Sequence, residues 1–227
     1  MSSLTEKTNG KAVNLQMNPL FNIPINEEET LAYPDKVLNE AIKIKKISDH
    51  FKQIMLILGL DLEDHSLKGT PERVARMYVK EMFSGLNPEN APEITLFNNN
   101  FQYTEMLVEK NITLHSCCEH HFVPIIGTVH VGYFSSGKII GLSKINRLVQ
   151  FYSKRPQLQE RLTQQIAHAL GEALNTVHVA VVINASHMCL TTRGVTDKDC
   201  KTTTSHFSGK FKNEEVKKEF FNYLKLD

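Results

Sequence analysis

The spacing of apolar residues changes along the chain, and each change predicts a different kind of element. Residues 1–29 are polar and show no periodic pattern, which reads as a flexible arm. From Asp35 onward, Val37, Leu38, Ala41, Ile42, Ile47, Phe51, Ile54, Met55 and Leu58 recur three and four positions apart. That spacing predicts an amphipathic helix with a wide apolar face, stopped at Gly59. In Gly69-Thr70-Pro71-Glu72-Arg73, Thr70 suits a helix cap and Pro71 the first turn. Val74, Met77, Tyr78 and Met82 continue one side of that helix until Gly85 and Asn87-Pro88 break it.

In the middle of the chain the period falls to two. Ile112 and Leu114 alternate with polar neighbours, as do Val129, Val131 and Tyr133, predicting strands with one buried face. The turn Ser135-Ser136-Gly137 leads to Lys138-Ile139-Ile140. Ser143 is the expected cap of a helix carrying Ile145, Leu148, Val149 and Tyr152. Arg155-Pro156 interrupts, and a second helix runs through Leu158, Leu162, Ile166, Ala169, Leu170 and Leu174. Val177, Val179, Val181 and Ile183 form another strand, Thr202 to Phe207 a shorter one, and Glu214 to Leu224 a closing helix. Paired strands with helices between them predict an α+β domain with an antiparallel sheet. The expected organisation is an arm (1–29), a helical extension (30–90) and a main domain (91–227).

Composition narrows the function. A chain of 227 residues fits one domain with an extension, or two small ones. A net charge of +1 argues against a general nucleic-acid binder. No early apolar run suggests a signal peptide or a membrane span, so the cytoplasm is the expected compartment. There, four cysteines at 117, 118, 189 and 200 favour metal-binding or reactive thiols over disulfides.

The segment His115-Ser116-Cys117-Cys118-Glu119-His120-His121 concentrates soft and borderline ligands, and His187-Met188-Cys189 adds more downstream. Zinc prefers thiolate sulfur and imidazole nitrogen. Cys118, His121 and Cys189 make a three-ligand set that leaves a position for water, a catalytic arrangement; adding His187 or Cys117 would close a structural site. Spacing leaves both arrangements open. Beyond these ligands, Ser143, Lys144 and Arg147 gather at a helix start, with Arg193 four positions after Cys189. A helix N-terminus with two cations suits an anion, although such a run also fits a solvated helix face. Arg73 and Arg76 repeat the three-residue spacing elsewhere, and converging guanidiniums suit polyphosphate. Glu160 can accept two hydrogen bonds side by side, as the edge of guanine would offer.

These residues resemble the GTP cyclohydrolase I family. The resemblance is carried by C-E-H-H at 118–121, G-L-S-K-I-N-R at 141–147, R-P-Q-x-Q-E-R-L at 155–162, H-x-C at 187–189, R-G at 193–194 and T-P-x-R at 70–73. It runs from about residue 36 to the end. It implies the tunnelling fold, an antiparallel four-stranded sheet with two helices on one face, preceded by N-terminal helices. It also implies pentameric rings of identical subunits, stacked as a decamer, with sites at subunit interfaces. The implied reaction converts GTP and water to formate and 7,8-dihydroneopterin triphosphate, the entry step of folate or other pterin synthesis. By motif, Cys118, His121 and Cys189 resemble zinc ligands, and the zinc would make water a nucleophile toward C8. His187 resembles the acid that protonates the purine nitrogen, with His120 and Ser143 assisting later steps. Glu160, helped by Gln159, would hold guanine. Lys144, Arg147 and Arg193 would grip the triphosphate, and Arg73 and Arg76 would reach it from a neighbouring subunit. The chain departs from the family at Cys117, where a non-cysteine residue is usual, and at Cys200, where Ser is common.

Overall fold

The computed structural model describes residues 38–226; the expected arm and positions 30–37 of the extension lie outside the described residues. Helix α1 (Glu40–Ile57) begins at Asn39, whose side chain accepts from the Ile42 amide at 3.2 Å. Gly59, at φ 79°, supplies the left-handed residue that follows its end. Helix α2 (Thr70–Met77) packs against α1 and runs on into a π-helical turn, Tyr78–Met82. Its cap residue is Gly69 and not Thr70. Thr70 lies inside the helix, where its hydroxyl accepts from Arg73 Nη2 at 2.9 Å.

Strands β1 (Leu96–Asn98), β2 (Met106–Cys118), β3 (Pro124–Phe134) and β4 (Lys138–Ile140) follow. Then come α3 (Leu142–Ser153), β5 (Pro156–Gln157), α4 (Gln159–Leu174), β6 (Val179–His187), α5 (Met188–Thr191), β7 (Thr202–Phe207) and α6 (Glu214–Lys225). β1 and β4 pair with each other. The main sheet has the order β5-β2-β3-β6-β7. Its four long strands are antiparallel, as expected, and the two-residue β5 adds a parallel pair beside the end of β2. β1 was not expected, because three residues are too few to show a period. β2 and β6 extend well beyond the alternating positions that announced them.

The sheet separates two cores, and alternation along β6 sorts its side chains between them. Val179, Val181, Ile183 and Ala185 join Leu114, Val129 and Val131 under α3 and α4. This is the expected arrangement of the tunnelling fold, two helices on one face. From α3 come Ile145, Leu148 and Val149; from α4, Leu162, Ile166 and Leu170. Ala180 and Val182 face the other way, onto Phe211 and Phe220, so α6 covers part of the second face. Gly132 permits that approach: a Cβ there would lie 2.9 Å from the Phe220 ring. The apolar stripe of α1 behaves differently. Met55 is its buried residue, while Leu38, Ile42, Ile54, Leu56, Ile57 and Leu58 remain exposed. Among the described residues no helix is long and apolar enough to cross a membrane.

Candidate metal and substrate site

The register of β3 brings distant ligands together. Pro124 pairs with Cys117 of β2, and Ile125 pairs with His187 of β6. The ends of β2 and β6 therefore flank the first residues of β3. From the end of β2 the chain turns at once. The Cys118 amide donates to Val123 O at 2.8 Å and the Phe122 amide to Cys118 O at 2.9 Å, with Phe122 at φ 54°. This tight turn folds His121 back toward Cys118. The short α5 carries Cys189 in from β6.

The ligand atoms of Cys118, His121 and Cys189 all lie within 4.8 Å of one another. Cys118 is buried, Cys189 half-buried and His121 exposed, so the cluster opens to one side. Burial and the adjacent Cys118 push the Cys189 thiol up, against a smaller opposing effect of Arg193. A divalent ion beside Cys189 would offset both effects and favour its thiolate. The donor set, two sulfurs and an imidazole, is compatible with a metal ion.

The two residues that could have closed this site stand outside the cluster. Cys117 is 1% exposed and projects to the other face of β2, its Sγ 3.8 Å from Cys118 O. Burial and Cys118 push its thiol up to about 11. His187 directs Nε2 to Gln159 Oε1 at 2.8 Å. Burial lowers its pKa, while the Glu160 carboxylate acts in the opposite sense. Glu160 is therefore close enough to His187 for its charge to be felt there. His120 is exposed, with its ring 6.4 Å from that of His121.

Gln159 differs from the expectation of a partner for Glu160. Its side chain is 2% exposed and its amide points into the protein, toward Ile183 O, Thr202 O and Thr204 Oγ1. Adjacent helix positions diverge by about 100°, so Glu160 turns outward where Gln159 turns in. Ser143 differs too. The residue preceding α3 is Gly141, no side-chain cap bond is made, and Ser143 lies exposed in the first turn. Lys144 lies in that turn and Arg147 in the next, and neither forms an ion pair among the described residues, which leaves both cations available to an anion. Arg193 is exposed and near Cys189. In the single chain Arg73 and Arg76 are held by their own surroundings. Arg73 donates to Ser66 O at 2.8 Å, and Arg76 pairs with Glu72 at 2.6 Å.

One feature of the turn was missed from sequence. Arg161, in the first turns of α4, pairs with Glu119 at 2.5 Å and also donates to Gln157 Oε1 and Pro156 O, both at 3.1 Å. Glu119 lies between Cys118 and His121, so this pair braces the turn that carries two of the cluster's ligands. The signal was present, because Glu119 and Arg161 each lie inside a quoted motif.

Comparison with known proteins agrees with this geometry. A family model described as GTP cyclohydrolase I matches residues 47–225. A protein named GTP cyclohydrolase 1 from Flavobacterium johnsoniae is 57% identical over 185 residues, covering 82% of this chain and 83% of the relative. Proteins of the same name from Aeromonas salmonicida and Vibrio cholerae are 50% identical over 189 residues and 51% over 186. They cover 83% and 82% of this chain, and 87% and 86% of their own lengths.

Proposed function

The chain belongs to the GTP cyclohydrolase I family, and we propose that its Cys118–His121–Cys189 cluster holds one zinc ion at the centre of the active site. The protein is an enzyme that opens the imidazole ring of GTP by hydrolysis, releasing formate and forming 7,8-dihydroneopterin triphosphate, the first step of pterin and folate synthesis. The observation that carries the zinc site is the convergence of three ligand atoms within 4.8 Å. A zinc ion held by these three residues would supply Lewis acidity there, making water a competent nucleophile near neutral pH.

The protein's own groups divide the remaining work. Glu160 accepts hydrogen bonds from the N–H and amino edge of guanine, its exposure at the start of α4 leaving it free to do so. Lys144, Arg147 and Arg193 grip the triphosphate; that Lys144 and Arg147 form no ion pair among the described residues supports this reading. His187 holds the proton that the purine nitrogen takes up as the ring opens. His120 and Ser143 assist the ribose opening and rearrangement.

The catalytic unit is residues 91–227, preceded by the helical extension that carries α1 and α2. The exposed apolar stripe of α1 supports association between copies of the chain, and the family resemblance suggests pentameric rings stacked as a decamer. Arg73 and Arg76 would reach the triphosphate of a neighbouring subunit, with Arg76 leaving or sharing Glu72. The expected compartment is the cytoplasm.

Purified protein given GTP, with metal measured on the same sample, tests the reading. Formate and an oxidisable, fluorescent pterin should appear in proportion to bound zinc. Protein carrying one zinc per chain that yields neither product would sink it.

A further inference from the structure

We propose that Gln159 is a positioning residue that holds a hydrogen on His187 Nε2, so that Nδ1 is the ring nitrogen that meets substrate and, in the acid form of the ring, carries the proton that is given up. The proposal rests on the reading of His187 as the acid for ring opening. It stands on the direction of each hydrogen bond in a small buried network joining β6, α4 and β7.

The direction can be derived one bond at a time. The Thr163 hydroxyl donates to the backbone carbonyl of Gln159 at 2.8 Å, which uses its one hydrogen. Thr163 and Thr204 hydroxyls lie 2.7 Å apart, so Thr204 must be the donor of that pair. Thr204 Oγ1 is then left as an acceptor for the Gln159 amide at 3.1 Å. The same amide nitrogen faces Ile183 O at 3.2 Å and Thr202 O at 2.9 Å. Backbone carbonyls only accept, so the opposite orientation of the amide would set oxygen against two oxygens. Oε1 of Gln159 therefore points to His187 Nε2, 2.8 Å away. An amide oxygen cannot donate, so Nε2 carries the hydrogen. No hydrogen bond to Nδ1 is made among the described residues.

Two consequences follow. Nε2 is committed to Gln159 and is not offered to the metal cluster, in keeping with a set of three ligands that His187 does not join. The ring is also held in one plane by a partner that is itself fixed at three points, so a substrate meets Nδ1 in a constant place. The arrangement has the logic of partners outside a metal's ligand shell, which orient an imidazole and fix its tautomer.

Gln159→Met, which keeps the bulk and removes the acceptor, is the test. We expect kcat for GTP to fall about 10–100-fold, with KM within about threefold of the parent and bound metal unchanged. Thr204→Val, which loosens the amide without altering residue 159, should give a smaller fall in kcat of about two- to fivefold with the same KM, and stands in if the first variant fails to fold. Independently of turnover, ¹⁵N spectra of protein labelled at the histidine ring nitrogens report the tautomer, with His187 signals identified by their loss in His187→Gln. In the neutral ring the parent should show its hydrogen on Nε2, and Gln159→Met a mixture of the two tautomers. A rise in KM with kcat retained would make Gln159 a guanine ligand and overturn the proposal, as would a neutral His187 in the parent whose one hydrogen is on Nδ1. If His187→Gln keeps the parent kcat, the acid reading itself fails and the catalytic half of the proposal falls with it. The spectrum then judges the hydrogen-bond network alone.

Discussion

Arg161→Met perturbs the metal turn without touching a ligand. The Arg161 and Glu119 side chains are 12% and 21% exposed, so the ion pair between them is largely out of water. Breaking a buried pair at one partner costs about 3–5 kcal/mol, chiefly because the other charge is stranded. Residual exposure lets water reach the Glu119 carboxylate, which lowers the expected cost to about 2–3 kcal/mol. For a chain of this size that corresponds to a fall in Tm of about 4–12 °C. The turn also loses its brace, and metal affinity should drop about 10–100-fold, as for other groups that orient ligands from outside. Thermal melts of the metal-loaded protein and competition with a chelator measure the two effects. Adding Glu119→Gln removes the stranded charge, so the double variant should recover much of the stability while its metal affinity stays low. Two results would refute the reasoning: Arg161→Met as stable as the parent, or a double variant no more stable than Arg161→Met.

Other perturbations read different parts of the structure. Burial holds the Glu109 carboxyl above its ordinary range, with the Asn146 amide pulling the other way. A raised folded-state pKa means stability that is fully present below the unfolded carboxyl range and is lost as pH rises through the folded value. Glu109→Gln should therefore be more stable than the parent at pH 7 and lose that advantage near about pH 4, as measured by denaturant unfolding across pH. A Cβ on Gly127 would lie 2.1 Å from Asn184 O and 2.5 Å from Ala185 Cα, so Gly127→Ala should force β3 from β6. The loss should be about 3 kcal/mol or more, seen as a collapse in Tm or soluble yield. Cys117 is buried with its thiol pushed up to about 11. After metal removal at about pH 8, a maleimide should therefore modify the half-buried Cys189 and Cys200 before Cys117, as mass spectrometry of the digested protein would show.

Where sequence and structure part, the cause is local. The sheet and its helices were legible because period-two and period-three-to-four patterns persist over many residues, as in β6 and α4. Caps depend on one residue's backbone angles, and both hydroxyls expected to cap, Thr70 and Ser143, lie one or more positions inside their helices. The stripe on α1 announced a face to be covered and could not say by what; the single chain leaves most of it bare. The metal cluster was legible as residue types, while its closure was not, because that depends on which way two side chains turn. Cys117 follows strand alternation away from Cys118, and His187 is held by a glutamine.

Gln159 is the instructive case, because its place was written in the chain and was read through its neighbour instead. Glu160 suggested a substrate role, and adjacency in sequence lent Gln159 the same role. On a helix, adjacency separates side chains. The residues that share a face with Gln159 are Leu162, Thr163, Ile166 and Leu170, all buried against the sheet. A polar residue heading an apolar stripe is a buried polar residue, and it must find partners inside. Four were available: two carbonyls, the Thr204 hydroxyl and the His187 ring. Three of them only accept and share the two hydrogens of the amide nitrogen, so the fourth must meet the oxygen. The orientation of His187 therefore follows from a helical stripe and an acceptor count, before any substrate is considered.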